Sequence, residues 1–142
     1  MKIKPIKTEQ DYQQALERLE EIFDAKKGTK LWEFATGSGV DSSPAVADGY
    51  VYVGSNDYNI YALETETGTK KWQFATGGEV SSSPTVADGS VFVGSFDRKL
   101  YALDSKTGTK KWEFKTDGPV FSSPTVSNGI VYTGSNDHKL YA

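Results

Sequence analysis

A gapless forty-residue repeat, strand-forming runs inside each unit and hairpin signals between those runs predict an all-β chain. The expected architecture is a β-propeller of four-stranded blades, three per chain, behind an N-terminal α-helix. Trp32, Trp72 and Trp112 are spaced by 40 residues, and so are Pro44, Pro84 and Pro124, Gly54, Gly94 and Gly134, and Tyr61, Tyr101 and Tyr141. Aligned without a gap, residues 28–67 and 68–107 are identical at 25 of 40 positions. Units this alike, with no insertion, are expected in equivalent environments. The chain therefore reads as a leader over 1–27 and three repeats over 28–67, 68–107 and 108–142.

The leader reads as a helix over 8–26. Thr8 is a good N-cap with Asp11 three residues on, a near capping box. Tyr12, Ala15, Leu16, Leu19, Ile22 and Phe23 form one apolar stripe, while Glu17, Arg18, Glu20, Glu21 and Asp24 face outward. Lys26-Lys27-Gly28 supplies basic residues and a glycine at the C-terminal end. Such a stripe has to be covered, and packing on a blade edge or on a symmetry mate is the expected solution.

Within a repeat the strands follow in order. Ser83–Ala87 is a short strand closed by the Asp88-Gly89 hairpin signal. Val91–Gly94, rich in β-branched and aromatic residues, is the second. Ser95–Arg98 turns the chain into Leu100–Leu103, and Asp104–Gly108 turns it again into Lys110–Phe114. The middle strands are apolar on both faces, as in a sheet sandwiched between neighbours. The last alternates, Trp112 and Phe114 against Lys111 and Glu113, as expected of an outer strand half in solvent.

The phase of the repeat sets an expectation about assembly. After Gly28 the chain passes directly into an outer strand, Leu31–Phe34, then runs two full units and reaches the third strand of the last unit at Tyr141. Twelve strands are expected in permuted order. Propellers use about four to eight blades, so two chains, giving six, form an acceptable ring. Each chain would lend Leu31–Phe34 to the other's terminal sheet, with Leu31, Trp32, Phe34, Leu140 and Tyr141 at the closure interface. A homodimer is expected. The competing reading is a fragment of a longer propeller.

Composition narrows the chemistry. With 16 Lys and Arg against 19 Asp and Glu, the net charge is −3, which disfavours a nucleic-acid face built on clustered cations. The absence of cysteine removes disulfides, thiolate metal sites and a cysteine nucleophile. No apolar run is long enough for a signal peptide or membrane span, so no membrane partner and a cytoplasmic location are expected. His138 is the single histidine, so no triad or histidine-rich metal site forms within a chain. It stands at the hairpin position held by Tyr58 and Arg98 in the other units. Asp57, Asp97 and Asp137 fall in hairpin turns, where aspartate bonds local backbone. Ser42-Ser43, Ser81–Ser83 and Ser122-Ser123 precede the innermost strand without an accompanying base, and are expected to pack and hydrogen-bond near the central channel. No catalytic, cofactor or metal residue is assigned, and the chain is expected not to be an enzyme.

The segment Ala102-Leu103-Asp104-Ser105-Lys106-Thr107-Gly108-Thr109-Lys110-Lys111-Trp112 resembles the A-x-D-x-x-T-G-x-x-x-W docking signature of pyrroloquinoline-quinone-like propeller repeats. Ala62 to Trp72 matches it too, with Glu64 in the acidic place. The resemblance covers 28–142. It implies that Trp32, Trp72 and Trp112 stack between blades while Gly68 and Gly108 shape the receiving turns. It also implies a range of functions, from quinoprotein dehydrogenases to outer-membrane assembly scaffolds without cofactor. The dehydrogenases resemble one another in an eight-bladed ring, a calcium site and often a vicinal cysteine pair, and this chain lacks the blades and the cysteines. Met1 through Ala25 resembles the start of HigA-type antitoxins, so Lys26–Gly28 reads as a fusion point, natural or designed. No helix-turn-helix follows, and DNA binding does not carry over.

The function expected is a non-enzymatic propeller scaffold or protein-interaction module, with no cofactor, partnered by itself and by an unidentified protein. The variable hairpin tips Tyr58, Arg98 and His138 are its candidate binding loops. The alternatives are a cofactor-binding quinoprotein-like propeller and an antitoxin-related regulator fragment.

Overall fold

The computed structural model describes residues 31–142. The expected helix over 8–26, and with it the HigA-like start, lies outside the described residues. Residues 32–142 form one compact unit, and every sheet among the described residues belongs to it.

Among the described residues eleven strands build three antiparallel sheets. The first contains β1 (Ala45–Ala47), β2 (Tyr50–Gly54), β3 (Asn59–Glu64) and β4 (Lys70–Ala75), paired in that order. The second repeats it with β5 (Thr85–Ala87), β6 (Ser90–Ser95), β7 (Lys99–Asp104) and β8 (Lys110–Lys115). The third has three strands, β9 (Thr125–Ser127), β10 (Ile130–Gly134) and β11 (Leu140–Tyr141). Each sheet is a meander, so a two-residue turn suffices to join its first two strands. Asp48-Gly49, Asp88-Gly89 and Asn128-Gly129 make these turns with positive φ at both residues. That is the type I′ geometry whose twist matches the strands it joins.

Apolar character on both faces of the middle strands is realised as packing between sheets. Tyr52, Ile60, Val80, Val91, Val93 and Leu103 are all at most 3% exposed, and they form one core that also takes in Trp72 and Tyr101. Burial of this core is the main stabilising term, since each large apolar side chain removed from water contributes about 1.5–3 kcal/mol. The short strands β1, β5 and β9 lie side by side, with the serine runs just before them.

Leu31–Phe34, expected as a strand, belongs to no sheet in the single chain, so eleven strands stand where twelve were expected. The reason is physical: a strand is sustained by ladder hydrogen bonds to a neighbour, and no strand edge among the described residues runs beside this segment. Its side chains are nevertheless placed as those of an outer strand are.

Candidate functional site

The repeat produces a repeated joint. The Trp72 indole donates through Nε1 to the Ser105 carbonyl at 2.9 Å, and Tyr52 Oη donates to the same oxygen at 3.1 Å. The ring covers Gly108, whose φ of +72° belongs to the left-handed region. Trp32 repeats the arrangement one unit earlier, donating to the Thr65 carbonyl at 2.8 Å and covering Gly68, φ +69°. Phe34, Phe74 and Phe114 each meet edge-on the tyrosine later in the same repeat, with centroids 5.2, 5.5 and 5.2 Å from Tyr61, Tyr101 and Tyr141. Trp112 has no such cover among the described residues and is 42% exposed, against 8% for Trp72.

A second joint was not apparent in the sequence. Val80 fills the space above Gly54, and Val120 that above Gly94. A Cβ on either glycine would come within 2.5 Å of the valine Cγ1. The amides of Val80 and Val120 donate to the carbonyls of Ser55 and Ser95 at 3.1 Å each, fixing the approach. Gly134 stands at the same place in the third sheet, yet a Cβ there would meet only Ser122, at 3.4 Å from Oγ. Correspondingly Val40 is 48% exposed while Val80 and Val120 are buried.

The hairpin aspartates do more than shape their turns. Asp57 Oδ1 accepts the Asn59 amide at 3.0 Å, while Oδ2 accepts Tyr61 Oη at 2.6 Å and the Gly37 amide at 2.7 Å. Asp97 binds Tyr101 and Gly77, and Asp137 binds Tyr141 and Asp117, in the same way. Each carboxylate thus ties its hairpin to the chain entering the sheet. Burial would raise the Asp57 and Asp137 carboxyls, but the hydrogen bonds they accept outweigh it and hold both below the usual range. Burial and the Asp57 carboxylate push the Tyr61 hydroxyl up to about 12. Burial and then Asp97 raise Tyr101.

Near the inner strands the serines form a hydrogen-bonded series. The amides of Ser43 and Ser83 donate to the hydroxyls of Ser83 and Ser123 at 2.8 and 3.2 Å. The Ser82 hydroxyl donates to the Ser122 carbonyl and accepts the Gly94 amide, and the Ser122 hydroxyl donates to the Gly134 carbonyl and accepts the Gly134 amide. Among the described residues these serines bond to one another and to backbone, and no histidine or carboxylate joins them.

The candidate binding positions Tyr58, Arg98 and His138 sit at the tips of the hairpins between the second and third strands, with φ of 73°, 69° and 70°. Left-handed backbone is disfavoured for these side chains, so the turn displays them at a local cost. Beside them the units diverge. Asn56 donates to Asp41 at 2.7 Å and accepts from Ser81 at 3.1 Å, whereas Phe96 packs edge-on against Phe121 with centroids 4.2 Å apart. Among the described residues no group of three or more His, Asp or Glu side chains is placed to hold a metal ion.

The expected closure residues fall in two separate places. Leu31 is 79% exposed, with Trp32 and Phe34 half-buried on the first sheet. Leu140 is 75% exposed at the far edge, with Tyr141 half-buried under Phe114. Beside that edge lies a mainly apolar cleft of about 450 Å³, lined by Leu100, Trp112, Phe114, Ile130, Tyr141 and Ala142 among others.

Comparison with known proteins agrees with this architecture. BamB from Moraxella catarrhalis is similar over 80% of this chain and 36% of its own, at 26% identity and a TM-score of 0.71. Quinohemoprotein alcohol dehydrogenase ADHIIG from Pseudomonas putida HK5 matches 73% of the chain at 27% identity and a TM-score of 0.62. The quinohemoprotein alcohol dehydrogenase of Comamonas testosteroni matches 69% at 28% identity and a TM-score of 0.60. The chain spans about a third of the BamB length and 18% of either dehydrogenase. No curated protein matches it. The PQQ-like family model described as outer membrane protein assembly factor BamB matches residues 17–142, and the chain, with its Trp-on-Gly joints and four-stranded meanders, belongs to that family.

Proposed function

We propose that this chain is a non-enzymatic propeller module for protein interaction, completed when two copies exchange their outer strands to form a six-bladed ring. The observation that carries the reading is the seat of Trp32 and Phe34. They lie against the first sheet as Trp72 and Phe74 lie against the second, so Leu31–Phe34 stands where an outer strand stands without a sheet of its own. The third sheet has the complementary property, an uncovered edge at Leu140–Tyr141 beside an apolar cleft. A contiguous apolar edge of this kind is a site of association. Membership of a family described by an outer membrane assembly factor supports an interaction role, with Tyr58, Arg98 and His138 as the displayed contact side chains.

Light scattering on the full chain tests the assembly. The expected mass is twice the 15.5 kDa of one chain, falling toward one chain in Phe34→Ala. A one-chain mass for the unaltered protein at micromolar concentration overturns the reading. A second reading, a quinoprotein-like cofactor propeller, is favoured by the likeness to the two dehydrogenases. A change in quinone absorbance on titration with pyrroloquinoline quinone and calcium would support it over the first.

A further inference from the structure

Two carbonyls in the chain lack a donor that their counterparts have. The Ser105 carbonyl accepts two bonds from the sheet before it, from Tyr52 at 3.1 Å and Trp72 at 2.9 Å. The Thr65 carbonyl, forty residues earlier, accepts Trp32 at 2.8 Å and no tyrosine among the described residues. The Ser55 carbonyl accepts the amides of Tyr58 and Val80, and the Ser95 carbonyl those of Arg98 and Val120. The Ser135 carbonyl accepts the His138 amide but no valine amide among the described residues. Matching donors stand idle elsewhere in the chain. Tyr132 lies eighty residues after Tyr52, half-buried, and its hydroxyl has no partner among the described residues. Val40 is exposed where Val80 and Val120 are buried, and Gly134 is the seat of its kind that no valine fills among the described residues.

Resting on the strand exchange proposed above, we infer that two copies complete each other's sheet-to-sheet joint. Tyr132 of one copy donates to the Thr65 carbonyl of the other, whose Val40 seats on Gly134 with its amide on the Ser135 carbonyl. Exchange brings these groups into reach. In the first sheet Tyr52, Ala62 and Trp72 lie in one row across three strands. Tyr132, Ala142 and the arriving Trp32 make the same row in the exchanged sheet, while Trp32 keeps its bond to Thr65. The Tyr132 hydroxyl then shares that oxygen with the Trp32 indole, as Tyr52 shares the Ser105 oxygen with Trp72. Seats inside the chain offer no such gain. Both lone pairs of the Ser105 carbonyl are engaged, and Val80 and Val120 already fill Gly54 and Gly94. The apolar seam agrees: Val46 is 67% exposed, whereas Val86, forty residues on, packs against the core.

Tyr132→Phe and Tyr52→Phe test the joint, because they remove the same hydroxyl from an open place and from a filled one. Phe92 holds this position in the second sheet, so a phenylalanine is compatible with the fold. In sedimentation equilibrium on the full chain, Tyr132→Phe is expected to raise the two-chain dissociation constant about three- to tenfold, and Val40→Ala about tenfold. At dilutions that separate the chains, urea unfolding followed by far-UV circular dichroism should give both variants the midpoint of the unaltered protein. Tyr52→Phe should do the reverse, lowering that midpoint and leaving the dissociation constant unchanged. A dissociation constant unmoved by Tyr132→Phe or by Val40→Ala, with the two-chain mass retained, overturns the joint but leaves the strand exchange standing. A midpoint that falls in Tyr132→Phe as far as in Tyr52→Phe shows the hydroxyl bonded within one chain, and likewise overturns the joint. A one-chain mass for the unaltered protein overturns the exchange itself, and the joint with it.

Discussion

Gly108 lies directly beneath the Trp72 ring, so close that a Cβ would come within 2.6 Å of Trp72 Cδ2. Gly89 has a similar φ, +68°, but nothing within 4 Å of the same construction. Gly108→Ala therefore combines left-handed strain of about 1–2 kcal/mol with overpacking of about 1–3 kcal/mol. Gly89→Ala carries only the first. Urea denaturation midpoints should separate the two variants by the packing difference, and equal losses would show that the tryptophan does not lock the joint.

Gly94→Ala and Gly134→Ala should behave differently although the residues are equivalent in the repeat. The first drives a methyl into Val120 and its backbone carbonyl and is expected to destabilise the fold by about 1–3 kcal/mol or more. The second meets only the Ser122 side chain within one chain, so the folded monomer should persist. Closure onto a partner's Val40 would then be blocked. Thermal unfolding together with chromatographic mass distinguishes these effects.

The hairpin latches make stability depend on pH at both ends. Asp57 and Asp137 have lowered native pKa values, so the unfolded chain, near 3.9 for Asp, binds more protons. Stability is full above that value and is lost as pH falls through the native pKa. Tyr61 behaves in the opposite sense. Its native pKa of about 12 exceeds an unfolded value near 10, so its contribution is complete below ~10 and is lost as pH rises toward 12. Asp57→Asn should flatten the acid limb of a stability–pH profile, and Tyr61→Phe the alkaline limb.

Arg98 occupies left-handed backbone, with φ 69°, at a tip where its side chain is displayed rather than packed. Arg98→Gly removes about 1 kcal/mol of strain, offset in part by the greater entropy of unfolded glycine. A small gain in thermal midpoint is expected, on the order of 0.5 kcal/mol, together with weaker capture of any protein partner. A loss of stability would show that the Arg98 side chain is a structural contact.

Hairpins and strand order were legible because the Asp-Gly and Asn-Gly pairs of 48-49, 88-89 and 128-129 specify their turns locally and the forty-residue spacing repeats them. The Trp72–Gly108 joint was legible only through the docking signature it resembles. Val80 on Gly54 was not. Repetition shows that 40, 80 and 120 are equivalent, but not which distant backbone each valine covers. Asp97 reads as a hairpin-turn residue, and its bond to the Lys99 amide is of that local kind. Its other oxygen reaches Gly77, a contact twenty residues away that turn chemistry does not encode. Leu31–Phe34 shows the converse. Its alternating side chains reach Thr65, Gly68 and Tyr61, whereas the segment pairs with no strand among the described residues.

Exchange between copies is tested most directly by a disulfide, because the chain contains no cysteine of its own. Lys99 faces Lys115 in the second sheet, so Lys139 of one copy should face Ala35 of the other. Mixing Ala35→Cys with Lys139→Cys under mild oxidation should give a covalent species containing one of each chain, in excess of either homodimer. A double variant that instead closes the bond within one chain, or a mixture that forms no such species, would contradict the exchanged strand.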